Sequence, residues 1–474
     1  MPHLAGLQSL TYRNGLALSL NYDGDGRLTD MRAADGTTEV QDLTLTYDAS
    51  ANITAITDNL DPARSQTFGY DGVDRLTHAC GPYGAIDYTY DLVGNRSHRT
   101  IDDGTLTDEV YAYSAGSHRL ASLTVGSAVR DFGYTAAGST SSDTRSGTTL
   151  AFTYNHSGRL TSVTAQAGPL ASREYWYDAL EHRVHEIRED RVGQGIDTAE
   201  FSYVYDLSGH LLAEYATDGL VPQVLREYIW LDDTPVALID HTGAGDAQLL
   251  AIHTDHLRRP QKLTDASQAL VWDGQFDPFG EEYAVASTTD MPLRFPGQEW
   301  DAATALSQNW NRDYDPTLGR YIESDPIGLM GGVNRYAYVE SNPMYWADPT
   351  GLYHCVGNAS CRGFTPNLTD ALQCFDKCTA LDTGITCGTD SHDAEDPHSE
   401  GQGADVGRNT NPGVTRSAAE RCYSDCFDVA TSYAQEEQNA GPGTHFHFQT
   451  RPGLGGITGF RPGVQPRKKQ RVIP

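Results

Sequence analysis

Tyrosine followed by aspartate, then a turn, then Arg-Leu-Thr, recurs along this chain and leaves few folds open to it. Tyr22-Asp23 precedes Gly26-Arg27-Leu28-Thr29, and Tyr70-Asp71 precedes Arg75-Leu76-Thr77. Looser copies stand at Tyr47-Asp48, Tyr90-Asp91 with Gly94-Asn95-Arg96, Tyr154-Asn155 with Gly158-Arg159-Leu160-Thr161, Tyr177-Asp178 and Tyr205-Asp206. Self-similarity at roughly 20-residue spacing marks a repeat architecture, in which each unit buries its apolar face only on its neighbours. Alternation such as Leu43-Thr44-Leu45-Thr46-Tyr47 has the period of two of a strand. The Asp, Gly and Asn clusters between units supply the positive-φ positions that hairpin turns need. The expectation is a mainly β chain built on one long, spiralling antiparallel sheet.

Composition divides the molecule near residue 352. The first 352 residues hold one cysteine, and the 122 residues after them hold seven. Of the 34 basic and 64 acidic residues, 11 and 14 lie in 353–474, a net −3. The remaining 23 and 50 put −27 on the first 352 residues, a surface that repels phosphate backbones and argues against nucleic-acid binding there. The basic tip Arg467-Lys468-Lys469-Gln470-Arg471 reads as a solvated tail, or otherwise as a weak anion-binding patch. No apolar run reaches the ~18 residues of a membrane span. The opening MPHLAGLQSLTYRNG lacks the basic patch and apolar stretch of a signal peptide, so entry to an oxidising compartment needs another carrier.

The repeats resemble the YD repeats of the Rhs family of polymorphic toxins, and the resemblance sharpens after residue 250. Asp255-His256-Leu257-Arg258-Arg259-Pro260, Phe276-Asp277-Pro278-Phe279-Gly280 and Tyr314-Asp315-Pro316 with Gly319-Arg320-Tyr321 follow the family's core domain. So does Gly331-Gly332-Val333-Asn334-Arg335-Tyr336-Ala337-Tyr338 before Asn342-Pro343. The resemblance implies a YD-repeat β-shell over 1–250, a core domain over 251–352 and a C-terminal toxin over 353–474 enclosed by the shell. Family members are usually much longer, with an N-terminal delivery domain, whereas this chain starts inside the repeats. Membership further implies a cognate immunity protein and secretion-system delivery proteins. It also implies manufacture in a bacterial cytoplasm and a secreted or cell-surface destination.

Two Asp-Pro-x-Gly-Leu motifs sit 23 residues apart, Asp325-Pro326-Ile327-Gly328-Leu329 and Asp348-Pro349-Thr350-Gly351-Leu352. Asp-Pro and Pro-x-Gly both favour turns, and the motifs read that way on their own. The other reading is a carboxylate dyad of Asp325 and Asp348, in which one carboxyl stays protonated as acid while the other activates water. The matching motifs in Rhs proteins are associated with self-cleavage after the second leucine. Carried over, the cut falls between Leu352 and Tyr353.

The cargo is expected to be a small α+β, disulfide-containing domain. Cys374 with Cys378 and Cys422 with Cys426 each place two thiols one helical turn apart. Antiparallel packing of two such helices allows Cys374–Cys426 and Cys378–Cys422 bonds, with a structural zinc site as the alternative. Cys355, Cys361 and Cys387 leave an odd count. Disulfides point to work in a periplasm or outside the cell. Asp396-Pro397-His398-Ser399-Glu400-Gly401-Gln402-Gly403-Ala404-Asp405 sets an imidazole and a carboxylate seven residues apart. Gly443-Thr444-His445-Phe446-His447 adds a His-x-His, whose imidazoles share one face of a strand. One carboxylate and two imidazoles leave zinc an open position for water, whose pKa it would lower toward about 7.

This segment resembles the LAS group of zinc peptidases (D-Ala-D-Ala peptidases, murein endopeptidases and the hedgehog fold), whose pattern is Ser-x-His-x-x-Gly-x-Ala-x-Asp followed by His-x-His. The resemblance assigns His398, Asp405 and His447 to Zn2+ and His445 to the substrate or transition state. Gly401 matches the pattern's glycine and Gly403 stands for its alanine. Asp396 replaces the serine, and Gly441 and Pro442 stand where a Glu usually precedes His-x-His. The general base is left to Glu436, Glu437 or His445. The implied activity is a zinc hydrolase cutting peptidoglycan peptides in a target periplasm. The alternatives are a nuclease cargo and a non-enzymatic surface or contact-binding module.

Overall fold

The computed structural model describes residues 7–352, apart from 218, 220 and 244, and six short strands beyond them. The chain divides into two compact units, Met1–Pro326 with Val333–Leu352, and Ile327–Gly332 with Tyr353–Pro474.

In the first unit 25 strands, from Ser9–Thr11 to Glu282–Ser287, form a single sheet. Each strand pairs antiparallel with the next one in the sequence, so the sheet is one continuous meander. The expected spiralling antiparallel sheet is what the chain forms. Its last strands return to its first through side chains. Asn14 Nδ2 donates to Thr264 Oγ1 at 2.9 Å, Gln41 Nε2 to the Thr254 carbonyl at 2.9 Å, and Lys262 Nζ to the Val40 carbonyl at 2.7 Å. Arg64 clasps Asp273 through both terminal nitrogens, at 2.8 and 2.7 Å.

The Tyr-Asp pair is explained by two hydrogen-bonding tasks. The aspartate closes the turn: Asp23 Oδ1 accepts the Asp25 and Arg27 N–H groups at 2.9 Å each, and Asp71 and Asp91 do the same for the residues two and four further on. This is the Asx turn that a short carboxylate offers the backbone. The tyrosine marks a bulge in the ladder, as at Asn21/Tyr22, Thr46/Tyr47 and Gly69/Tyr70. Its hydroxyl reaches back to the carbonyl opposite the preceding bulge: Tyr47 to Leu28 at 2.6 Å, Tyr70 to Ile53 at 2.8 Å, Tyr90 to Leu76 at 2.8 Å. Each repeat thereby satisfies a polar group that the previous repeat's irregularity displaces. Replacing Tyr47 by Phe removes one such bond and should lower unfolding stability by about 1 kcal/mol. Adding Tyr70→Phe should increase that loss in a near-additive way, read from denaturant unfolding.

The turns also speak to one another. Asn52 Nδ2 reaches Asp74 at 2.8 Å, Arg75 the Asp91 carbonyl at 2.9 Å, Arg119 the Ala136 carbonyl at 3.2 Å, and His210 Nε2 lies 2.8 Å from Asp233. At Asn52, Arg75 and His210 the residue four after the turn aspartate ties its turn to the next. Apolar burial follows the same one-dimensional logic. One cluster gathers Leu45, Ile53, Phe68, Leu76, Ile86 and Tyr88, and another gathers Tyr203, Leu238, Leu250, Ile252 and Trp272.

After Ser287 the chain runs along these repeats. It forms a small sheet of Gln298–Asp301, Leu306–Asn309, Arg312–Asp315 and Arg320–Tyr321. It is joined to the repeats by buried charges. Arg183 contacts Asp313 at 2.8 Å, and Arg130 contacts Asp143 at 2.7 Å and Asp315 at 2.5 Å; within the large sheet, Arg99 contacts Asp277 at 3.1 Å. Tyr336 OH donates to the Gly138 carbonyl at 2.7 Å, and Asn342 Nδ2 to Asn52 Oδ1 at 2.9 Å.

One carboxyl in this network is out of balance. Burial first, then the neighbouring carboxylates of Glu214 and Glu186, push Glu299 up to about 8 from an ordinary 4.5. A carboxyl raised in the folded state favours folding below its unfolded value and loses that advantage as pH rises through the folded one. Thermal stability of this unit should therefore fall as pH climbs from 4.5 toward about 8, and Glu299→Gln should flatten the slope of melting temperature against pH.

Beyond Leu352 the described residues are backbone strands. Gly403–Gly407 pairs with Thr444–Thr450, placing Asp405 opposite His447. Ser432–Gln438 pairs with the other edge of Thr444–Thr450, placing Glu437 opposite His445 and Gln435 opposite His447. Cys387 stands opposite Asp405. His398 and the helices expected at Cys374–Cys378 and Cys422–Cys426 lie outside the described residues.

Candidate active site

The strands Leu306–Asn309, Arg312–Asp315 and Arg320–Tyr321 present Asn309, Arg312 and Tyr321 to the two aspartates. Strand Arg312–Asp315 is buried along its whole length, which removes the solvent that would otherwise screen its charges. Arg312 Nη2 lies 3.1 Å from Asp325 Oδ2 and 3.2 Å from Asp348 Oδ2. Both oxygens touch one nitrogen, so the two carboxylates share a single cation. Burial lowers the Arg312 pKa and Asp325, Tyr321 and Asp348 raise it; the raising influences prevail, so the guanidinium stays charged.

The second motif lies across this cation. Arg312 Nε donates to the Gly351 carbonyl at 2.5 Å, and the Leu352 N–H donates to Asp348 Oδ1 at 3.0 Å. The Gly351–Leu352 peptide is therefore held at both ends, by the arginine on its oxygen and by the aspartate on its nitrogen. Asn311 fixes the strand one residue earlier, its backbone N–H and side-chain Nδ2 lying 3.1 and 3.0 Å from the Thr350 carbonyl. Gly351 adopts φ +70°, and a Cβ there would come within 2.4 Å of the Asn309 carbonyl oxygen. Only glycine passes this point.

Asp348 collects donors on both oxygens. Oδ2 accepts Tyr321 OH at 2.8 Å and Arg312 Nη2 at 3.2 Å; Oδ1 accepts the Leu352 N–H and, at 3.4 Å, Thr350 Oγ1. Asp325 is seated by its own N–H, which donates to the Arg335 carbonyl at 2.8 Å. Close by, burial and Asp313 hold the Glu323 carboxyl well above its usual range, and Glu323 accepts the Asp313 N–H at 2.8 Å.

The turn reading of the motifs is met in the backbone, and the two aspartates come together in space. Gly328 and Gly351 take positive φ in turns, and the turns bring Asp325 and Asp348 to one arginine. The sequence reading missed Arg312, Tyr321 and Asn309. Tyr321 stood inside the Gly319-Arg320-Tyr321 motif, and Arg312 is one of few basic residues in a strongly acidic stretch. Either could have been tried as the counter-charge that two buried carboxylates require.

Residues 8–354 match the family described as teneurin YD-shell. The chain belongs to that family. Its resemblance to Rhs proteins is met at this level. This YD-shell chain is 31% identical over 340 residues to "Double-stranded DNA deaminase toxin A" of Burkholderia cenocepacia, covering 65% of this chain and 22% of that one. It is 32% identical over 228 residues to "Toxin protein Tse5" of Pseudomonas aeruginosa, covering 44% of this chain and 17% of that one. The YD-shell chain thus spans between 17% and 22% of the length of these relatives. In fold it is similar to a Photorhabdus luminescens Tc holotoxin pore structure, with a TM-score of 0.62 and 20% identity over 73% of this chain and 18% of that one.

Proposed function

We propose that this chain is the container and cutter of a bacterial toxin. Its YD-repeat unit cuts the polypeptide after Leu352 and so frees residues 353–474 as the active cargo. The observation that carries this reading is the convergence of Asp325 and Asp348 on Arg312, with the Gly351–Leu352 peptide gripped by Arg312 and Asp348. Hydrolysis of the next peptide bond adds the oxygen of water to the Leu352 carbonyl carbon and breaks its bond to the Tyr353 nitrogen. One carboxyl takes a proton from the water, and the other delivers one to the departing nitrogen. Arg312 keeps the pair from repelling itself apart in a buried site. Purified chain should run as two fragments on a denaturing gel; a single full-length band in folded protein would oppose the proposal.

The toxin reading is supported by family membership and by relatives named as toxins. It carries with it a cognate immunity protein, delivery by secretion-system proteins, and release from the producing cell. For the cargo we take the zinc peptidase as the first reading, with peptidoglycan peptides in the target periplasm as substrate. The backbone register sets Asp405 directly opposite His447 and Glu437 opposite His445, which suits a shared ligand row of Asp405 and His447 completed by His398. Zinc held there supplies Lewis-acid polarisation of a scissile carbonyl. Metal analysis of the full chain beside a His398→Ala, His447→Ala variant tests it: about one zinc per chain, lost in the variant, is expected for a site of this donor set. A second reading is a cargo that acts on DNA, favoured by the relative named as a double-stranded DNA deaminase toxin. That reading predicts altered DNA and intact peptidoglycan.

A further inference from the structure

Asn309, Tyr321 and Asp348 form a chain of hydrogen bonds whose direction can be worked out atom by atom. Asn309 Nδ2 lies 2.9 Å from the Asp348 backbone carbonyl, which can only accept, so this end of the amide is the nitrogen. The same nitrogen lies 2.8 Å from Tyr321 OH. An amide nitrogen only donates, so the phenol oxygen accepts from Asn309 and must send its own hydrogen elsewhere. Asp348 Oδ2 receives it at 2.8 Å. Burial, with Asp348 adding to it, pushes the Tyr321 pKa well above its ordinary value, so the hydroxyl keeps its proton.

From this geometry, and resting on the self-cleavage reading above, we infer that Tyr321 is a positioning residue for chain cleavage. Its hydroxyl, oriented by Asn309, fixes Asp348 Oδ2 and so turns Oδ1 onto the Leu352 N–H. The ring is fixed independently of the hydroxyl. Arg312 stacks over it at 3.6 Å, and Tyr314 and Tyr338 meet it edge-on at 5.7 and 5.9 Å. Tyr321→Phe therefore removes one hydrogen bond to a charge and leaves the packing in place. Two features separate the inference from a packing role. The hydroxyl touches no carbonyl of the substrate strand, and its partner is the carboxylate that also holds the Leu352 N–H.

The groups that face Asp348 are Arg312, Tyr321 and Tyr338, with Asp325 and Glu323 acting through Arg312. None but Tyr321 changes in the variant. A donor hydrogen bond favours the charged form of the carboxylate it reaches, so its loss should move the pH dependence of the cleavage rate. The test is a time course of full-length chain made by cell-free synthesis and shifted across a pH series. It compares wild type, Tyr321→Phe and Asp348→Asn. Tyr321→Phe should cleave about tenfold more slowly at neutral pH, as expected for one hydrogen bond to a charged group. Its rate should also decline toward acid at a higher pH than wild type. A Tyr321→Phe rate and pH profile equal to wild type would overturn the inference. So would a uniform slowing with the pH profile unmoved, the mark of a merely structural tyrosine. If wild type itself stays intact, the self-cleavage reading fails and this inference falls with it. Wild-type cleavage abolished by Asp348→Asn but indifferent to Tyr321→Phe sinks the inference alone.

Discussion

Asp348→Asn should leave the chain uncleaved, with a rate at least about 10³-fold below wild type, the scale on which loss of an essential acid–base group acts. The physical reason lies in the four contacts of Asp348. Tyr321 OH and Arg312 Nη2 donate to one oxygen, and the Leu352 N–H and Thr350 Oγ1 approach the other. An asparagine amide placed here points its NH2 at a donor in either orientation. The variant thus loses the charge, misplaces Arg312 and loosens the Leu352 strand together. Its fold should survive, because the side chain keeps its size and the repeat unit is held elsewhere by Asx turns and tyrosine bonds. Time-resolved gels with a melting curve for the same preparation measure both. Wild-type cleavage in a folded Asp348→Asn chain would remove Asp348 from the chemistry.

Arg130→Met should destabilise the repeat unit by up to about 3 kcal/mol, less than the full cost of unpaired buried carboxylates because Arg145 still lies 2.7 Å from Asp143 and 3.6 Å from Asp315. Arg130 binds Asp143 at 2.7 Å and Asp315 at 2.5 Å, and the Asp315 side chain is 0% exposed. Burial lowers the Asp315 carboxyl's tendency to ionise, yet Arg130 and Arg145 outweigh it and hold the pKa below its usual value. Asp315 belongs to the strand that also carries Arg312, so the loss should reach the cleavage site and slow cutting as well. Replacing Asp143, Arg130, Arg145 and Asp315 together by apolar residues of similar volume should recover much of the stability, since a buried ionic group is costly chiefly when half of it is missing. Denaturant midpoints of the single and combined variants measure this. A loss below about 1 kcal/mol for Arg130→Met would mean that water reaches Asp143 and Asp315 in solution.

Much of the repeat unit was legible because its information is local. An alternating strand, a Tyr-Asp pair and a turn glycine lie within a few residues of one another, and the meander follows from repeating them. The aspartate pair was legible for a related reason, as two copies of one motif. The site's remaining members were not. Arg312 sits 13 residues before Asp325 and 36 before Asp348, and nothing near it in sequence reports that it faces both. The buried ion pairs between repeats and core segment, such as Arg99 with Asp277 and Arg183 with Asp313, join residues more than 100 positions apart. Composition showed their excess of acid but not which arginines were drawn inside. The tyrosine hydroxyl's bond to the preceding bulge was equally hidden, because a bulge leaves no mark in an alternation pattern. For the cargo, the His-x-His segment does form a strand, Thr444–Thr450, while the proposed ligand His398 and the paired cysteines Cys374, Cys378, Cys422 and Cys426 fall outside the described residues.

The most direct test is the chemical identity of the junction. N-terminal sequencing and intact mass of the smaller fragment from purified wild-type chain should give a species beginning at Tyr353, with Leu352 as the new C-terminus of the larger one. A folded chain that stays whole, or a fragment beginning anywhere else, would contradict a cut made by Asp325, Asp348 and Arg312 on the strand they hold.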